Sequence, residues 1–579
     1  MIWLSIIFLP ILIACAFLIP KWRTFLVVLA PWTALPALVM AIFVDPGKSV
    51  QIPWLLLGSQ FGMDATAKVF LFFTALIWLI AGVYAVFYFS DKNKKIEFFI
   101  YYLFAMCGNI GFILAQDVIS FYFFFTLMSF ASYGMVVHYG TKPSYDAGKV
   151  YICLVIFGEV LIFFSLALAV HTTGNIYLLD LPAKIAISPM RDLIIGLALL
   201  GFGVKAGALP FHVWLPVSHP VAPVPAHAIL SSAMIKAGLL GWLRILPLGE
   251  VALLQWGILV MSAGFLAAFY GVLIGLTQDH IKKVLAYSSI SQMGMMTVAV
   301  GVGLTAPNLW PLCWAAIMVY ATHHALAKGA IFLSIGVIET KITVSWLRYF
   351  KILGMLLPAL AIMGASFSSG ALAKTALKYV MDAAILHHQW PYSLKWLIGM
   401  TSVSTTFLMA RVLWMAWPKK GNTTENTTVM TGIYLTWTVS IILAALLPIF
   451  LQAQNFIKIP GKETFYFLKW SSLWPLIVGG LIIWGALASR WKNPFFIQQG
   501  DVLIIYIKVL SLFKSMISAF VRSIPAKKEA LKISIAKPCH RVTSRLKHID
   551  HFAQDYATWR MFGAVFLTLF LIFFLLGVV

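Results

Sequence analysis

Long apolar runs alternate with short polar segments along almost the whole chain. A helix needs roughly 20 apolar residues to cross a bilayer, and about sixteen stretches reach that length. Only helices or closed barrels satisfy their backbone groups in lipid, and runs this long are typical of helices. We therefore predict an all-α polytopic membrane protein with spans at 2–20, 25–45, 67–90, 98–115, 117–138, 148–171, 192–215, 222–246, 251–275, 284–305, 311–337, 352–380, 393–417, 431–455, 470–490 and 560–579.

Composition supports the same class of protein. The 579 residues are 61% hydrophobic and 11% charged, which excludes an ordinary soluble domain. The first apolar run has the composition of a signal peptide, but its first basic residue, Lys21, follows the run, so we predict a span. The five cysteines are scattered without a CxxC pair, and no metal, haem or other cofactor site is expected in this chain.

The net charge of +23 indicates membrane orientation and does not indicate nucleic-acid binding. Basic residues concentrate in the loops after spans 1, 3, 5, 9, 11 and 13, and the opposite loops are poorer in them. The positive-inside rule then predicts a multi-pass protein of the inner (plasma) membrane with both termini outside. The basic loop residues are Lys21, Arg23, Lys92, Lys94, Lys95, Lys142, Lys149, Lys282, Lys283, Lys341, Arg348, Lys351, Lys419 and Lys420.

A short internal echo predicts an inverted repeat. The sequence at 114–119 (LAQDVI) resembles that at 276–281 (LTQDHI), five spans later, where the orientation must be opposite. Lys205 and Lys374 lie in the fourth span of their respective repeats, and both spans are interrupted by Gly, Ser or Pro. Paired interrupted helices of this kind indicate an ion site near the bilayer midplane.

The residues after about 490 differ from the rest of the chain. Polar positions recur with the period of a one-sided helix, and basic residues are frequent, so we predict a lateral amphipathic segment on the cytoplasmic face, in contact with lipid. The predicted organisation is therefore three N-terminal helices, two five-helix repeats, two peripheral helices, the lateral segment and a terminal anchor, at 1–97, 98–246, 251–417, 431–490, 491–559 and 560–579.

Four lysines lie inside apolar spans, where a charge is costly and by default functional. Lys205 is near the middle of its span, too deep for easy access to the interface. Lys236 and Lys328 are similar, whereas Lys374 lies nearer a helix end and could instead extend to the interface. A desolvated lysine can exchange a proton reversibly, so the series predicts a path for protons or monovalent cations.

Histidines and one acidic residue complete the candidate site. His324 and Lys328 are spaced i, i+4 on one helix face, and with His323 they suggest a proton relay, the alternative being neutral core histidines. Glu159 lies deep in a span, and we predict that it pairs with Lys205 on the next span, either as a transport counter-ion or as a structural ion pair. His227, near the start of its span, is ambiguous.

These residues resemble a known family. The stretches at 202–216 (FGVKAGALPFHVWLP), 222–225 (APVP), 279–294 (DHIKKVLAYSSISQMG) and 322–328 (THHALAK) look like the antiporter-like subunits of respiratory complex I, energy-converting hydrogenases, formate hydrogenlyase and Mrp-type Na⁺/H⁺ antiporters. The resemblance covers roughly 100–415. The lateral segment with a terminal span is similar to the distal complex I subunit. The resemblance implies inverted repeats with broken helices 7 and 12.

By this resemblance, Lys205 is the helix 7 lysine, Lys236 the helix 8 lysine, and His324 with Lys328 the helix 11 relay. Lys374 stands in for the helix 12 lysine, displaced by about a turn from the usual Phe-Ser-Lys pattern. The family usually carries a glutamate in helix 5, where this chain has Thr126. Glu159 is then expected to act as the substitute counter-ion; otherwise the first channel is altered or inactive.

The sequence leaves two classes of function open. One is an ion-translocating subunit of a complex related to quinone oxidoreductase, hydrogenase, Na⁺/H⁺ antiport or inorganic-carbon uptake, with other membrane subunits as partners. The other is a structural brace with a degenerate channel. The chain has no site for redox or hydrolytic chemistry, so electron transfer is expected in other subunits.

Overall fold

The computed structural model describes residues 2–56, 58–340, 345–417, 427–453, 473–488 and 502. The chain forms two compact units. The first comprises Met1–Ile52 and Ser59–Gln499 and contains all the helices given below. In the second, Pro53–Gly58 and Gly500–Val579, the described part is a turn in which the Gly58 amide donates to the Leu55 carbonyl. The predicted lateral segment 491–559 and anchor 560–579 lie outside the described residues.

The N-terminal region combines helices with a hairpin that the sequence analysis did not predict. Prolines at 31 and 36 fall at helix starts and divide the second predicted span into two α-helices joined by a 3₁₀ stretch, Ala30–Ala34. Two antiparallel strands follow, paired from Lys48–Met63 to Ile52–Ser59, so the fold is not purely α-helical. The elements are α1 (Ile2–Ala16), α2 (Arg23–Leu29), α3 (Leu35–Phe43), β1 (Lys48–Ile52), β2 (Ser59–Met63) and α4 (Ala65–Tyr88).

The region predicted as the first repeat contains five long apolar helical segments, some of them made of more than one helix: Asn93–Leu114, Val118–Val136, Lys142–Thr173, Arg191–Ser218 and Val224–Ile245. Its second segment starts at Asp117, within the repeated motif, where the carboxylate accepts from the Ser120 amide as an N-cap. The helices are α5 (Lys92–Leu114), α6 (Val118–Val136), α7 (Lys142–Thr173), α8 (Leu181–Ala186), α9 (Arg191–Ala206), α10 (Trp214–Ser218), α11 (Val224–Ile229) and α12 (Ile235–Ile245), with a π-turn, Leu230–Met234, between the last two.

The region predicted as the second repeat has the same order of segments. Its second helix begins after His280, again inside the repeated motif. The helices are α13 (Leu254–Leu276), α14 (Ile281–Thr305), α15 (Trp310–Glu339), α16 (Ser345–Met363), α17 (Ser369–His388) and α18 (Leu394–Met415); the peripheral α19 (Thr427–Ala453) and α20 (Trp474–Ala488) follow. The repeat and its inverted orientation stay predictions.

Within the described residues, eleven helical segments are long and apolar enough to cross a membrane. Three shorter apolar helices, Trp3–Ala16, Tyr349–Met363 and Trp474–Trp484, add to them. Helices α14 and α17 are richer in polar residues. The protein is therefore a mostly helical membrane protein, and the total of sixteen spans stays a prediction.

Both predicted interruptions are present, and both use a glycine. Gly207 (φ +69°) directly follows α9 and Gly364 (φ +88°) directly follows α16, each in the left-handed region that favours glycine. In each case the following amide donates back to a carbonyl five residues earlier: Ala208 to Gly203, and Ala365 to Leu360. The predicted segment 352–380 is consequently two helices, α16 and α17, separated by residues 364–368.

A partly buried ion pair joins the N-terminal helices to the first five-helix region. Arg244, near the end of α12, binds Asp64 through two nitrogen–oxygen contacts, one of them 2.9 Å from Nη2 to Oδ1. Asp64 is also the N-cap of α4 and accepts from the Ala67 amide at 2.7 Å. One carboxylate thus starts α4 and anchors α12.

Candidate ion-translocation site

The four lysines singled out in the sequence are buried in the helix bundle. Lys236 and Lys328 are inaccessible to solvent, and Lys205 and Lys374 are 3% and 6% exposed. All four are therefore enclosed by the helix bundle, including Lys374, which does not extend to the surface; their depth in the membrane stays a prediction. None of the four forms a carboxylate ion pair within 4.0 Å in the described part of the chain. Each ammonium instead donates to a neutral oxygen.

Lys205 lies in the last turn of α9 inside an aromatic cage. Its Nζ donates to the Tyr151 hydroxyl at 3.1 Å and lies 5.5 and 6.0 Å from the ring centres of Tyr151 and Trp214. Trp214 is fixed by donating from Nε1 to the Val204 carbonyl at 2.7 Å. The cation therefore has two aromatic neighbours and the negative end of a helix dipole to stabilise it.

Glu159 does not make the direct pair with Lys205 that the sequence predicted. Its Oε2 accepts from the Thr126 hydroxyl at 2.7 Å, whereas the Lys205 ammonium lies against Tyr151. The carboxylate and the ammonium interact electrostatically without contact. The pairing prediction fails because Lys205 reaches the part of α7 that carries Tyr151, two helical turns before Glu159.

Ser129 lies between these two groups. The Tyr151 hydroxyl donates to the Ser129 carbonyl at 3.0 Å, and the Ser129 side chain lies beside the Glu159 carboxylate. Lysine, tyrosine, serine and glutamate thus form a polar row along α6 and α7. Tyr151 was missed by sequence reasoning; its spacing of eight residues from Glu159 on an apolar helix was the available signal.

Lys374 lies after the break in its helix pair, whereas Lys205 lies before the break in its own. Lys205 precedes Gly207, whereas Lys374 follows Gly364, and its Nζ donates to the Met363 carbonyl at 2.6 Å. Met363 is the last residue of α16, so this ammonium also binds the carboxyl end of a helix. At both sites the ammonium lies at the carboxyl end of a helix, although the lysines come from opposite sides of their breaks.

Helix α15 carries the two predicted histidines and Lys328. His323 Nδ1 is 2.8 Å from the hydroxyl of Ser369, the first residue of α17. His324 is fully buried, with no hydrogen bond to either ring nitrogen in the described structure. It lies within electrostatic range of both Lys236 and Lys328. Lys328 donates to the Leu285 carbonyl at 2.8 Å.

His227 pairs with a histidine that the sequence analysis did not select. His219 Nδ1 lies 3.1 Å from His227 Nδ1, and the Phe332 ring stacks on both imidazoles at 5.1 and 5.8 Å. Such a contact requires one ring to donate and the other to accept, so the two Nδ1 atoms share one proton. The two histidines flank a Pro-rich stretch, and this turn was the signal that could have linked them.

Lys236 is the second residue after the π-turn and donates to the Ser231 carbonyl within that turn at 3.1 Å. A π-turn often marks a functional position because it shifts the backbone register of a helix. No cluster of three or more potential metal ligands occurs among the residues that the structure describes. The arrangement is therefore a series of buried, neutrally solvated lysines with histidine, tyrosine and serine neighbours.

The sequence matches one family model and is similar to subunits of known membrane complexes. Residues 115–408 match the family model described as NADH:quinone oxidoreductase/Mrp antiporter, transmembrane region. Hydrogenase-4 component B of Escherichia coli is 31% identical over 295 residues, covering 48% of this chain and 43% of that protein. A putative antiporter subunit, mnhA2, of Staphylococcus epidermidis is 28% identical over 507 residues, covering 77% of this chain and 62% of that protein.

Solved structures share the fold. A chain of the Mrp complex from Dietzia sp. DQ12-45-1b superposes with a TM-score of 0.72 at 18% identity, covering 94% of this chain and 62% of that one. A chain of the membrane-bound sulfane sulfur reductase, an archaeal respiratory membrane complex, gives a TM-score of 0.62 at 19% identity, covering 78% and 94%. The aligned region spans less than half of the E. coli relative's length.

Proposed function

Because this chain belongs to the NADH:quinone oxidoreductase/Mrp antiporter transmembrane family, we propose that it is an ion-translocating subunit of a larger membrane complex. The ion is a proton, carried by Lys205, Lys236, Lys328 and Lys374 with help from Glu159, His227, His323 and His324. The chain contributes no redox cofactor of its own, and electron transfer takes place in neighbouring subunits. Those neighbours and the surrounding lipid are its partners.

One observation carries this proposal: each of the four buried lysines inside the predicted spans donates to a neutral oxygen and not to a carboxylate. A lysine locked in an ion pair would keep its proton, whereas one held by a hydroxyl or carbonyl can release it when its surroundings change. The acceptors are the Tyr151 hydroxyl and the carbonyls of Ser231, Leu285 and Met363. Permanent structural charges buried this deeply would need paired counter-charges.

Glu159 supplies the control of the first lysine in this proposal. Its carboxylate is held by Thr126, the residue at the position where the family resemblance places a glutamate. The carboxylate therefore belongs to α7 but lies against α6. When the carboxylate is ionised it favours a charged Lys205, and when its field weakens the proton can leave. This contact favours transport over a brace with an inactive channel.

The membrane topology follows from charge. We propose that the basic loops face the cytoplasm, that both termini lie outside, and that the two five-helix regions are inverted relative to each other. The predicted lateral segment would then lie on the cytoplasmic surface, its basic residues meeting anionic headgroups.

Purification of the intact complex from its native membrane, followed by identification of its subunits and reconstitution in proteoliposomes, tests the proposal. A redox-linked complex predicts proton uptake or release only when an electron donor and acceptor are supplied. An Na⁺/H⁺ antiporter predicts that added Na⁺ dissipates an imposed pH gradient without any electron donor. Co-purification with subunits related to carbonic anhydrase would favour carbon uptake, and a complex that moves no ion under any of these conditions would refute ion translocation.

A further inference from the structure

A pair of serine hydroxyls joins the sites of Lys236 and Lys328. Ser231 Oγ in the π-turn lies 2.7 Å from Ser289 Oγ on α14, and both residues are fully buried. The pair connects two elements that are 58 residues apart in sequence. Serine hydroxyls both donate and accept, so such a pair can pass a proton along a chain of hydrogen bonds.

Each lysine donates to a backbone carbonyl beside one of the two serines and not to a hydroxyl. On the π-turn side, Lys236 donates to the carbonyl of Ser231 itself at 3.1 Å. On the α14 side, Ser289 donates to the Leu285 carbonyl at 3.2 Å, and Lys328 donates to the same oxygen at 2.8 Å. The ammonium of Lys328 and the hydroxyl of Ser289 thus donate to the same carbonyl oxygen and lie close to each other.

Either hydroxyl can donate to the other. In the arrangement in which Ser289 donates to Leu285, the proton between the two hydroxyls comes from Ser231, and the Ser231 oxygen is able to accept. Lys236 and Lys328 also repel each other electrostatically, so a proton on one disfavours a proton on the other. His324 lies near both lysines, but its ring nitrogens bond to neither in the described structure.

We propose that Ser231 and Ser289 form the proton bridge between Lys236 and Lys328. The Lys236 ammonium turns from the Ser231 carbonyl to the Ser231 hydroxyl oxygen and releases a proton to it, and the Ser231 hydroxyl proton passes to the Ser289 oxygen. The Ser289 hydroxyl turns from the Leu285 carbonyl and passes its proton to the unprotonated amine of Lys328. One N–H bond breaks and one forms, and both hydroxyls then rotate to restore their starting direction. This inference rests on the proposed function, because it assigns a route within it.

Adjacent serines provide matched controls. Ser232 and Ser288 are also fully buried, yet neither side-chain oxygen has a hydrogen-bond partner among the residues that the structure describes. Alanine at these positions removes a hydroxyl of the same size, one residue away, without cutting the bridge. Threonine at 231 or 289 keeps the hydroxyl and tests whether the oxygen itself is required.

The test measures proton transport per assembled complex in proteoliposomes, in H₂O and D₂O. Ser231→Ala and Ser289→Ala should each lower the rate about tenfold, less than the about 100-fold of a typical positioned proton donor, since water can partly replace a hydroxyl. The double variant should be no slower than either single variant, and the solvent isotope effect should rise. Ser232→Ala and Ser288→Ala should leave the rate unchanged, and the threonine variants should recover it.

Lys205→Ala, measured alongside, separates the two proposals. Normal transport in the Ser231→Ala/Ser289→Ala double variant, with Lys205→Ala inactive, would overturn the bridge and leave the proposed function intact. Equal losses in the alanine and threonine variants, with an unchanged isotope effect, would show a packing role and would also overturn it. Normal transport in Lys205→Ala would remove the proposed function and the bridge together.

Discussion

The Thr126 hydroxyl donates a 2.7 Å hydrogen bond to the Glu159 carboxylate, so α6 supplies a hydroxyl and α7 supplies the charge. Glu159 is 5% exposed and interacts electrostatically with Lys205. Thr126 on α6 therefore holds the carboxylate in place, and Glu159 on α7 carries the negative charge. Each of the two residues can be substituted independently.

This separation predicts a rescue. Glu159→Gln removes the charge with little change in shape and should slow transport about 100-fold if the carboxylate controls proton release from Lys205. Adding Thr126→Glu to that variant returns a carboxylate to the same place and should restore part of the rate. Thr126→Ser, which keeps the hydroxyl, is the control. Wild-type transport in Glu159→Gln would mean that Lys205 works without this counter-ion.

The Asp64–Arg244 pair predicts a pH-dependent stability. Burial alone would raise the pKa of Asp64, but the charge and hydrogen bonds of Arg244, with the Ala67 amide, hold this pKa below its usual value of 3.8. The stabilisation is therefore present above pH 3.8 and is lost as the pH falls through the lower pKa of the folded state.

Asp64→Asn should consequently destabilise the protein at neutral pH by on the order of 2 kcal/mol, less than for a fully buried pair because Asp64 is 26% exposed. The difference from wild type should begin to shrink as the pH falls below 3.8 and should vanish only below the lower pKa of the folded state. Thermal unfolding in detergent across this pH range measures it, with Asp180→Asn as a control for an exposed aspartate. A constant difference at all pH values would contradict the assigned ion pair.

The break between α16 and α17 predicts a strong effect of one methyl group. Gly364 has φ +88°, and a Cβ there would lie 2.7 Å from Lys374 Cδ. Gly364→Ala should cost about 1–3 kcal/mol in backbone strain and should displace Lys374, lowering transport even in the folded fraction. Gly480→Ala is the matched control, because its Cβ meets no described atom within 4 Å. Equal behaviour of the two variants would show that the break does not position Lys374.

The histidine pair allows the aromatic ring of His227 and its Nδ1 atom to be tested separately for their effect on transport. His227→Phe keeps an aromatic ring against Phe332 but removes the Nδ1 that faces His219. If the shared proton takes part in transport, the rate should fall while the thermal stability of the complex is retained. His171→Phe, at the far end of α7, serves as the control substitution. Retained transport in His227→Phe would assign the pair to packing.

Much of this arrangement could be predicted from sequence because lipid imposes a simple rule. Apolar runs located the helices, and a lysine such as Lys205 inside a run was recognisable as buried. The glycines at 207 and 364 marked both breaks. The fold of the N-terminal region was harder to predict. Prolines 31 and 36 divide one apolar run into two helices, and the β1–β2 hairpin lacks a strong sequence signal for strands.

The partners of the buried charges could not be predicted, because they depend on contacts between distant segments. Lys205 and Tyr151 are 54 residues apart, and Ser231 and Ser289 are 58 apart. Spans fix depth in the membrane, but they do not fix which helices are neighbours or how each helix is rotated. The expected Lys205–Glu159 contact failed for this reason: both residues are deep, but the lysine reaches α7 two turns away from the carboxylate.

Proton transport by the reconstituted complex carrying Lys205→Ala tests the central claim most directly. Lys205 is 3% exposed and bound only to neutral groups within the described structure, so its loss should leave assembly intact and abolish transport. Lys184→Ala removes an exposed lysine on the short helix α8 and should behave as wild type. Undiminished proton movement in the fully assembled Lys205→Ala complex would contradict the account.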